Sequence, residues 1–121
     1  MRCAWTAAAL VAATSVAWAD GDAARGEKLF VECAACHSLD RTGESVGPSL
    51  YGVIGRKAGE GGGFRYSPAL KRSGIIWNEP SIDGFIADPQ GVVPGNRMPY
   101  AGIADAAARA DLIAYLVKTF K

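Results

Sequence analysis

Cys33-Ala34-Ala35-Cys36-His37 sets two thiols three positions apart and follows the second at once with an imidazole. Two intervening residues let both sulfurs reach the two vinyl edges of one porphyrin and form thioethers. The next side chain can then turn under the ring and offer a nitrogen to the iron. The same letters could serve a redox dithiol or half of a zinc site. A thioredoxin-like dithiol needs a βαβ context, and a four-ligand zinc site needs a second Cys or His pair. The only other cysteine is Cys3 and His37 is the only histidine, so the motif points to covalently attached haem.

Working outward, the 121 residues are half apolar and suit one domain. The first nineteen differ from the rest. Arg2 supplies a positive start, residues 4–18 form an alanine-rich run without charge, and Ala17-Trp18-Ala19 places small residues where a signal peptidase reads, just before Asp20. The run is shorter than the roughly 20 residues that cross a bilayer comfortably. The expectation is therefore a cleaved signal peptide at 1–19 and a single domain at 20–121. Cys3 should leave with the peptide. Removing Arg2 leaves equal numbers of basic and acidic residues, which excludes a nucleic-acid footprint. A domain this small needs a staple, and a haem face can be that staple.

Residues 21–33 read as a helix with Asp22 as N-cap and Gly26, Leu29 and Phe30 on one stripe. A glycine inside a helix costs about 1 kcal/mol against alanine, so Gly26 suggests a close backbone approach. Residues 38–63 are rich in glycine and read as backbone wrapped around something rigid. They lack the Gly-x-x-x-x-Gly-Lys-Ser/Thr pattern of a phosphate loop. Ser67 before Pro68 predicts a short helix to Arg72, and Asn78 with Pro80 predicts another to about Ala87, ended by Asp88-Pro89. Residues 91–102 read as extended. The last helix is predicted from Asp105 to about Thr119, with Ala108, Leu112, Tyr115, Leu116 and Thr119 on one face. No strand is predicted.

Haem iron held by one histidine has a second axial position. Met98 lies about sixty residues after His37, between Arg97 and Pro99 in a loop rich in glycine and proline. Pro99 biases Met98 away from the helical region. The thioether is thus presented from a stiff loop rather than from a packing position on a helix, and it is the candidate second ligand.

At this point the chain resembles the class I c-type cytochromes, the small soluble family that includes mitochondrial cytochrome c and its bacterial relatives. Cys33-Ala34-Ala35-Cys36-His37 matches the attachment motif, Gly47-Pro48-Ser49-Leu50 the Gly-Pro-x-Leu segment, and Pro94-Gly95-Asn96-Arg97-Met98 the methionine loop. Residues 109–116 resemble the family's C-terminal helix. The resemblance implies an all-α fold of three to five helices around one haem c, bound through Cys33 and Cys36, with His37 and Met98 as metal ligands and no catalytic residue. It implies that Gly26 and Phe30 cross Leu112 and Tyr115, that Pro48 accepts from His37, and that Tyr66, Trp77 and Arg56 serve a haem propionate. Leu70 and Phe85 replace polar residues of mitochondrial members, which implies a drier pocket and a higher potential.

The implied partners are membrane or periplasmic oxidoreductases, with no nucleic acid, no membrane span after signal cleavage, and a monomeric chain. Mitochondrial members ring the haem edge with lysines. Here the matching stretches read Glu32, Gln90-Gly91 and Ala104-Asp105, with Arg97 the main cation kept. Weak electrostatic steering is expected, with apolar contacts around Ala34, Ala35, Tyr100 and Ala101. The reading is a periplasmic electron carrier working by outer-sphere transfer through the exposed haem edge. Two alternatives stay open: a dedicated cytochrome subunit or electron acceptor of one periplasmic oxidoreductase, and an enzyme or sensor in which Met98 does not ligate.

Overall fold

A computed structural model describes residues 21–40, 45–61 and 63–121. The expected signal peptide at 1–19 lies outside the described residues. Five helices follow in order: α1 (Ala23–Ala34), α2 (Pro68–Arg72), α3 (Glu79–Ala87), α4 (Pro89–Val92) and α5 (Ala106–Thr119). Among the described residues the only extended pairing is an isolated bridge between Lys57 and Ile76, so the fold is all-α as the sequence implies.

Each helix begins where a side chain takes up amide hydrogens that would otherwise lack partners. Asp22 accepts from Arg25 N at 2.9 Å, and Ser67 from Leu70 N at 3.1 Å. Asn78 and Ser81 cap reciprocally at 3.0 and 2.9 Å. The sequence reading missed α4. Asp88-Pro89 does end α3, but it also starts a new turn: Asp88 accepts from Gly91 N at 3.0 Å, with Pro89 at its first position. Residues 91 and 92 are therefore helical rather than extended.

The main helix pair is α1 with α5, and α3 packs on both α5 and α4. Where α1 crosses α5, a methyl group at Gly26 would collide with the Asp111 carbonyl and approach the Tyr115 side chain. The close approach expected at Gly26 is thus real and is made by backbone. Phe30 then stacks obliquely on Tyr115, with ring centroids 5.2 Å apart, and on Phe120 at 5.5 Å. The C-terminal stripe differs at its end. Thr119 is exposed and Phe120 is buried. Phe120 leaves helical geometry at the C-cap while its amide still bonds Leu116 O at 2.8 Å, and that turns its ring inward. The core joins Phe30, Leu112, Ile113, Leu116 and Phe120 to Ile82, Phe85 and Ile86 of α3 and to Val53 and Val93.

Two ionic clasps fasten α5. Arg109 Nε meets Asp83 of α3 at 2.8 Å, and its Nη1 donates to Ile103 O and Ala104 O at 2.9 and 3.0 Å. At the crossing, Arg25 donates to both carboxylate oxygens of Asp111 at 2.8 and 3.1 Å, and the Asp22 amide donates at 2.7 Å. These bonds, that from Arg25 first, hold the Asp111 carboxyl below its ordinary range.

Two expectations follow from the crossing. Gly26→Ala should lower the unfolding free energy by at least about 2 kcal/mol in denaturant titrations, because the new methyl meets a carbonyl rather than a yielding side chain. For Asp111 the folded-state pKa lies below that of the unfolded chain. Its contribution is complete above about pH 4 and is lost as pH falls through the lowered folded value. Asp111→Asn should therefore lower the thermal midpoint at pH 7, and melts followed by far-UV circular dichroism should show the gap to wild type closing as acid is added.

Candidate functional site

α1 ends at Ala34, yet Ala35 keeps helical angles, and the Cys36 and His37 amides both bond Cys33 O, at 3.1 and 2.9 Å. One more turn is thereby added, and residues 33, 36 and 37, spaced i, i+3 and i+4, share one face. All three line a single cavity of about 230 Å³. Both sulfurs are free thiols. Burial, and then the charge of Glu32, pushes the Cys33 thiol upward.

The imidazole is held from behind. His37 Nδ1 lies 2.7 Å from Pro48 O. A carbonyl can only accept, so Nδ1 carries the proton and Nε2 keeps its lone pair. Gly47 is the position that makes this possible. A methyl there would lie 2.9 Å from His37 Cε1 and 3.1 Å from Cys36 O, and the Gly47 amide donates to that carbonyl at 2.6 Å. Ser45 also donates to Cys36 O. The bond from His37 to Pro48 stands as the resemblance implied.

Met98 reaches the same cavity from the loop after α4. Its amide donates to Asn96 Oδ1 at 2.8 Å, and its carbonyl accepts from Tyr100 N at 2.8 Å. Asn96 is buried, and its Nδ2 donates to Pro89 O at 2.8 Å and Val93 O at 3.0 Å. Gln90, read from sequence only as a neutral surface position, braces this loop as well. Its Nε2 donates to Asn96 O at 3.0 Å and its Oε1 accepts from Gly95 N at 3.2 Å. Tyr100 OH donates to Glu32 Oε2 at 3.2 Å, tying the methionine loop to the end of α1. The Tyr100 hydroxyl is pushed upward, first by burial and then by that bond. No spacing signal in the sequence marks the braces of Asn96 Nδ2, Gln90 and Tyr100 OH, because each depends on which backbone group or carboxylate the folded loop brings near.

The walls are apolar. Leu70 and Phe85 both line the cavity, together with Phe30, Leu112 and Leu116 from the crossing of α1 and α5. Phe85 meets Trp77 edge-on at 5.1 Å. Arg56, Tyr66 and Trp77 also lie on the lining. Three bonds bring Arg56 beside Trp77: Trp77 N to Arg56 O at 2.9 Å, Gly55 N to Trp77 O at 2.7 Å, and Ala58 N to Ile75 O at 2.8 Å. Tyr66 OH donates toward Glu60 O and Gly61 O at 2.9 and 3.1 Å, so this hydroxyl already has backbone partners. Ala34, Ala35 and Ala101 are exposed as expected. Val46, which sequence reasoning did not single out, lines the cavity while 74% exposed.

These residues fit a haem c. Two free thiols, one imidazole nitrogen with its lone pair unengaged, and one thioether line an apolar cavity. At its margin Arg56 Nε is buried without a hydrogen-bond partner, a cation's donor waiting for an anionic group such as a propionate. A zinc centre does not fit: among the described residues no three His, Cys, Asp or Glu side chains gather.

The comparisons agree with this geometry. The cytochrome c family matches residues 23–120. Cytochrome c2 of Rhodomicrobium vannielii is 42% identical over 117 residues, 96% of this chain and 93% of that one. Cytochrome c2 iso-2 of Magnetospirillum fulvum is 49% identical over 87 residues, covering 72% and 91%. The solved structure of cytochrome cH from Methylobacterium extorquens superposes with a TM-score of 0.76 at 48% identity, over 81% of this chain and 99% of that one. With a helical fold, an apolar cavity and the paired cysteines all in place, the chain belongs to the cytochrome c family and is a monohaem electron carrier with one covalently bound haem c.

Proposed function

We propose that Cys33 and Cys36 form the two thioethers, that His37 Nε2 and the Met98 sulfur are the axial ligands, and that residues 20–121, freed of the leader at 1–19, carry electrons in the periplasm between protein partners. The observation that carries this reading is the convergence of those four side chains on one apolar cavity, with His37 Nδ1 committed to Pro48 O. Haem c supplies the one-electron couple. The chain's own residues hold and insulate it. Pro48 fixes the tautomer and orientation of His37. The braced loop limits the movement of Met98. Leu70, Phe85 and Leu112 exclude water, and the low dielectric they create raises the energy of an added positive charge. No acid, base or nucleophile takes part, so the reading assigns no catalytic residue.

The leader-like pattern at 1–19 supports export. Among the described residues no helix is long and apolar enough to cross a membrane. Exposed Val46 lines the cavity with Glu32 and Arg97, one acidic and one basic residue, and exposed Ala34, Ala35 and Ala101 lie within a few positions of those two charges in sequence. A surface of that kind favours short-range apolar contact with a partner over long-range attraction.

The assignment is tested in a host that matures such cofactors. Pigment should stay with the polypeptide through acidified acetone and be lost from the Cys33→Ala/Cys36→Ala double variant. Met98→Ala should lose the ferric sulfur-to-iron absorption band and bind carbon monoxide when ferrous, whereas wild type should not. Carbon monoxide binding by native wild-type protein would remove Met98 from the ligand set. For the partner face, raising salt so that the Debye length shrinks from about 30 to about 8 Å should change the electron-transfer rate with an isolated oxidoreductase by less than about threefold. A steep fall would mean strong steering.

A further inference from the structure

We propose that Asn96 is the positioning residue for Met98, a strut that ties the backbone of Met98 to the end of α4 and keeps the thioether on the iron. The proposal rests on the reading of Met98 as an axial ligand. A carboxamide offers two donor hydrogens and one carbonyl acceptor. Both kinds of group are engaged here, and in different directions. Nδ2 donates to Pro89 O and Val93 O, at the start and just past the end of α4, while Oδ1 receives the Met98 amide at 2.8 Å.

The geometry leaves Met98 little backbone freedom. Its N–H is held by Asn96 and its C=O by the Tyr100 amide at 2.8 Å. Pro99 between them keeps Met98 out of the helical region. Only the flexible side chain beyond Cα remains free to move, and a methionine side chain with three rotatable bonds strays readily when its anchor loosens. Asn96 is 9% exposed, so water cannot readily replace its bonds, and removing its side chain leaves the Met98 amide without its acceptor and takes from Pro89 O and Val93 O the second of their two donors. Arg97, the other polar neighbour of Met98, is a weak substitute: it is exposed and reaches Arg65 O only at 3.4 Å. Gln90 assists from outside through the Asn96 carbonyl and the Gly95 amide.

The test measures displacement of the sulfur, separately from global stability, in the ferric holoprotein. Imidazole is titrated while the sulfur-to-iron band is followed, and unfolding by denaturant is followed by far-UV circular dichroism. Asn96→Ala removes all three bonds. Asn96→Asp keeps an oxygen for the Met98 amide but loses both donors and sets a carboxylate against two carbonyls. Each should raise the imidazole association constant at least tenfold (about 1.4 kcal/mol) and lose the band at a denaturant concentration where helix content persists. Gln90→Ala, an exposed position that leaves the fold intact, should raise it by about threefold and keeps the proposal testable if the Asn96 variants do not accumulate. Ile113→Ala is the control: it opens the α5 core away from the cavity, and should lower the unfolding midpoint while leaving imidazole affinity within about twofold of wild type.

Asn96 and Gln90 variants that bind imidazole like wild type would overturn the proposal, as would an Ile113→Ala protein displaced as easily as Asn96→Ala. A wild type that lacks the band and binds imidazole as tightly as Met98→Ala would instead reject the ligand reading itself, a different result from either.

Discussion

The contact on which the rest depends is the approach of one helix backbone to another at Gly26. No side chain separates α1 from the Asp111 carbonyl of α5, so the two helices cross more closely than any residue with a Cβ would allow. Once they do, Phe30 falls between Tyr115 and Phe120, and Arg25 and the Asp22 amide reach the Asp111 carboxylate. The same crossing aims the far end of α1. Cys33 enters the cavity from the last turn of α1 and Cys36 and His37 from the turn added past it, while Phe30, Leu112 and Leu116 wall it. Fold and site are thus one construction, and a shift in the crossing would move the two thiols and the imidazole together.

Around that frame the chain places polar groups sparingly and gives nearly all of them a partner. The proton of His37 goes to Pro48, the carboxamide of Asn96 to three backbone groups, and the guanidinium of Arg109 to Asp83 and two carbonyls. Among the described residues Arg56 Nε is the exception, and Arg56 lines the cavity. Everything else facing the cavity is largely hydrocarbon. An electron carrier benefits from this economy, because a site whose ligands are braced and whose walls are dry has few dipoles left to reorient when its charge changes by one.

The methionine side of the cavity is built differently from the histidine side. His37 sits on the turn added past the end of the twelve-residue α1 and takes its direction from that helix. Met98 sits on a loop, and its direction comes from side-chain bonds to a four-residue helix, supplied by Asn96 and Gln90 and by the Glu32–Tyr100 link to α1. The two sides of the cavity thus differ in stiffness: the imidazole rides on a helix end, the thioether on a hydrogen-bonded scaffold that shorter-range motions can open.

Local chemistry was legible from the residues alone. The Cys-x-x-Cys-His spacing, the N-caps at Asp22, Ser67, Asn78 and Asp105, the glycine in α1 and the proline after Met98 each act through neighbours within a few positions, and the elements they mark lie where expected. Reading Asp88-Pro89 as a stop alone missed α4, because the same pair that ends one helix caps the next. Placing Thr119 on the buried face missed Phe120, because a residue that has left helical angles no longer obeys the 3.6-residue period. The brace around Met98, the clasp at Asp111, the Arg109–Asp83 pair and the exposed Val46 at the cavity mouth were decided only by tertiary structure. The clasps and the Glu32–Tyr100 link join residues from separate parts of the chain, the bonds of Asn96 and Gln90 depend on the irregular turn that the loop after α4 takes, and Val46 depends on which surface the folded chain leaves uncovered; a periodicity or a cap carries no information about a partner or a surface that only folding creates.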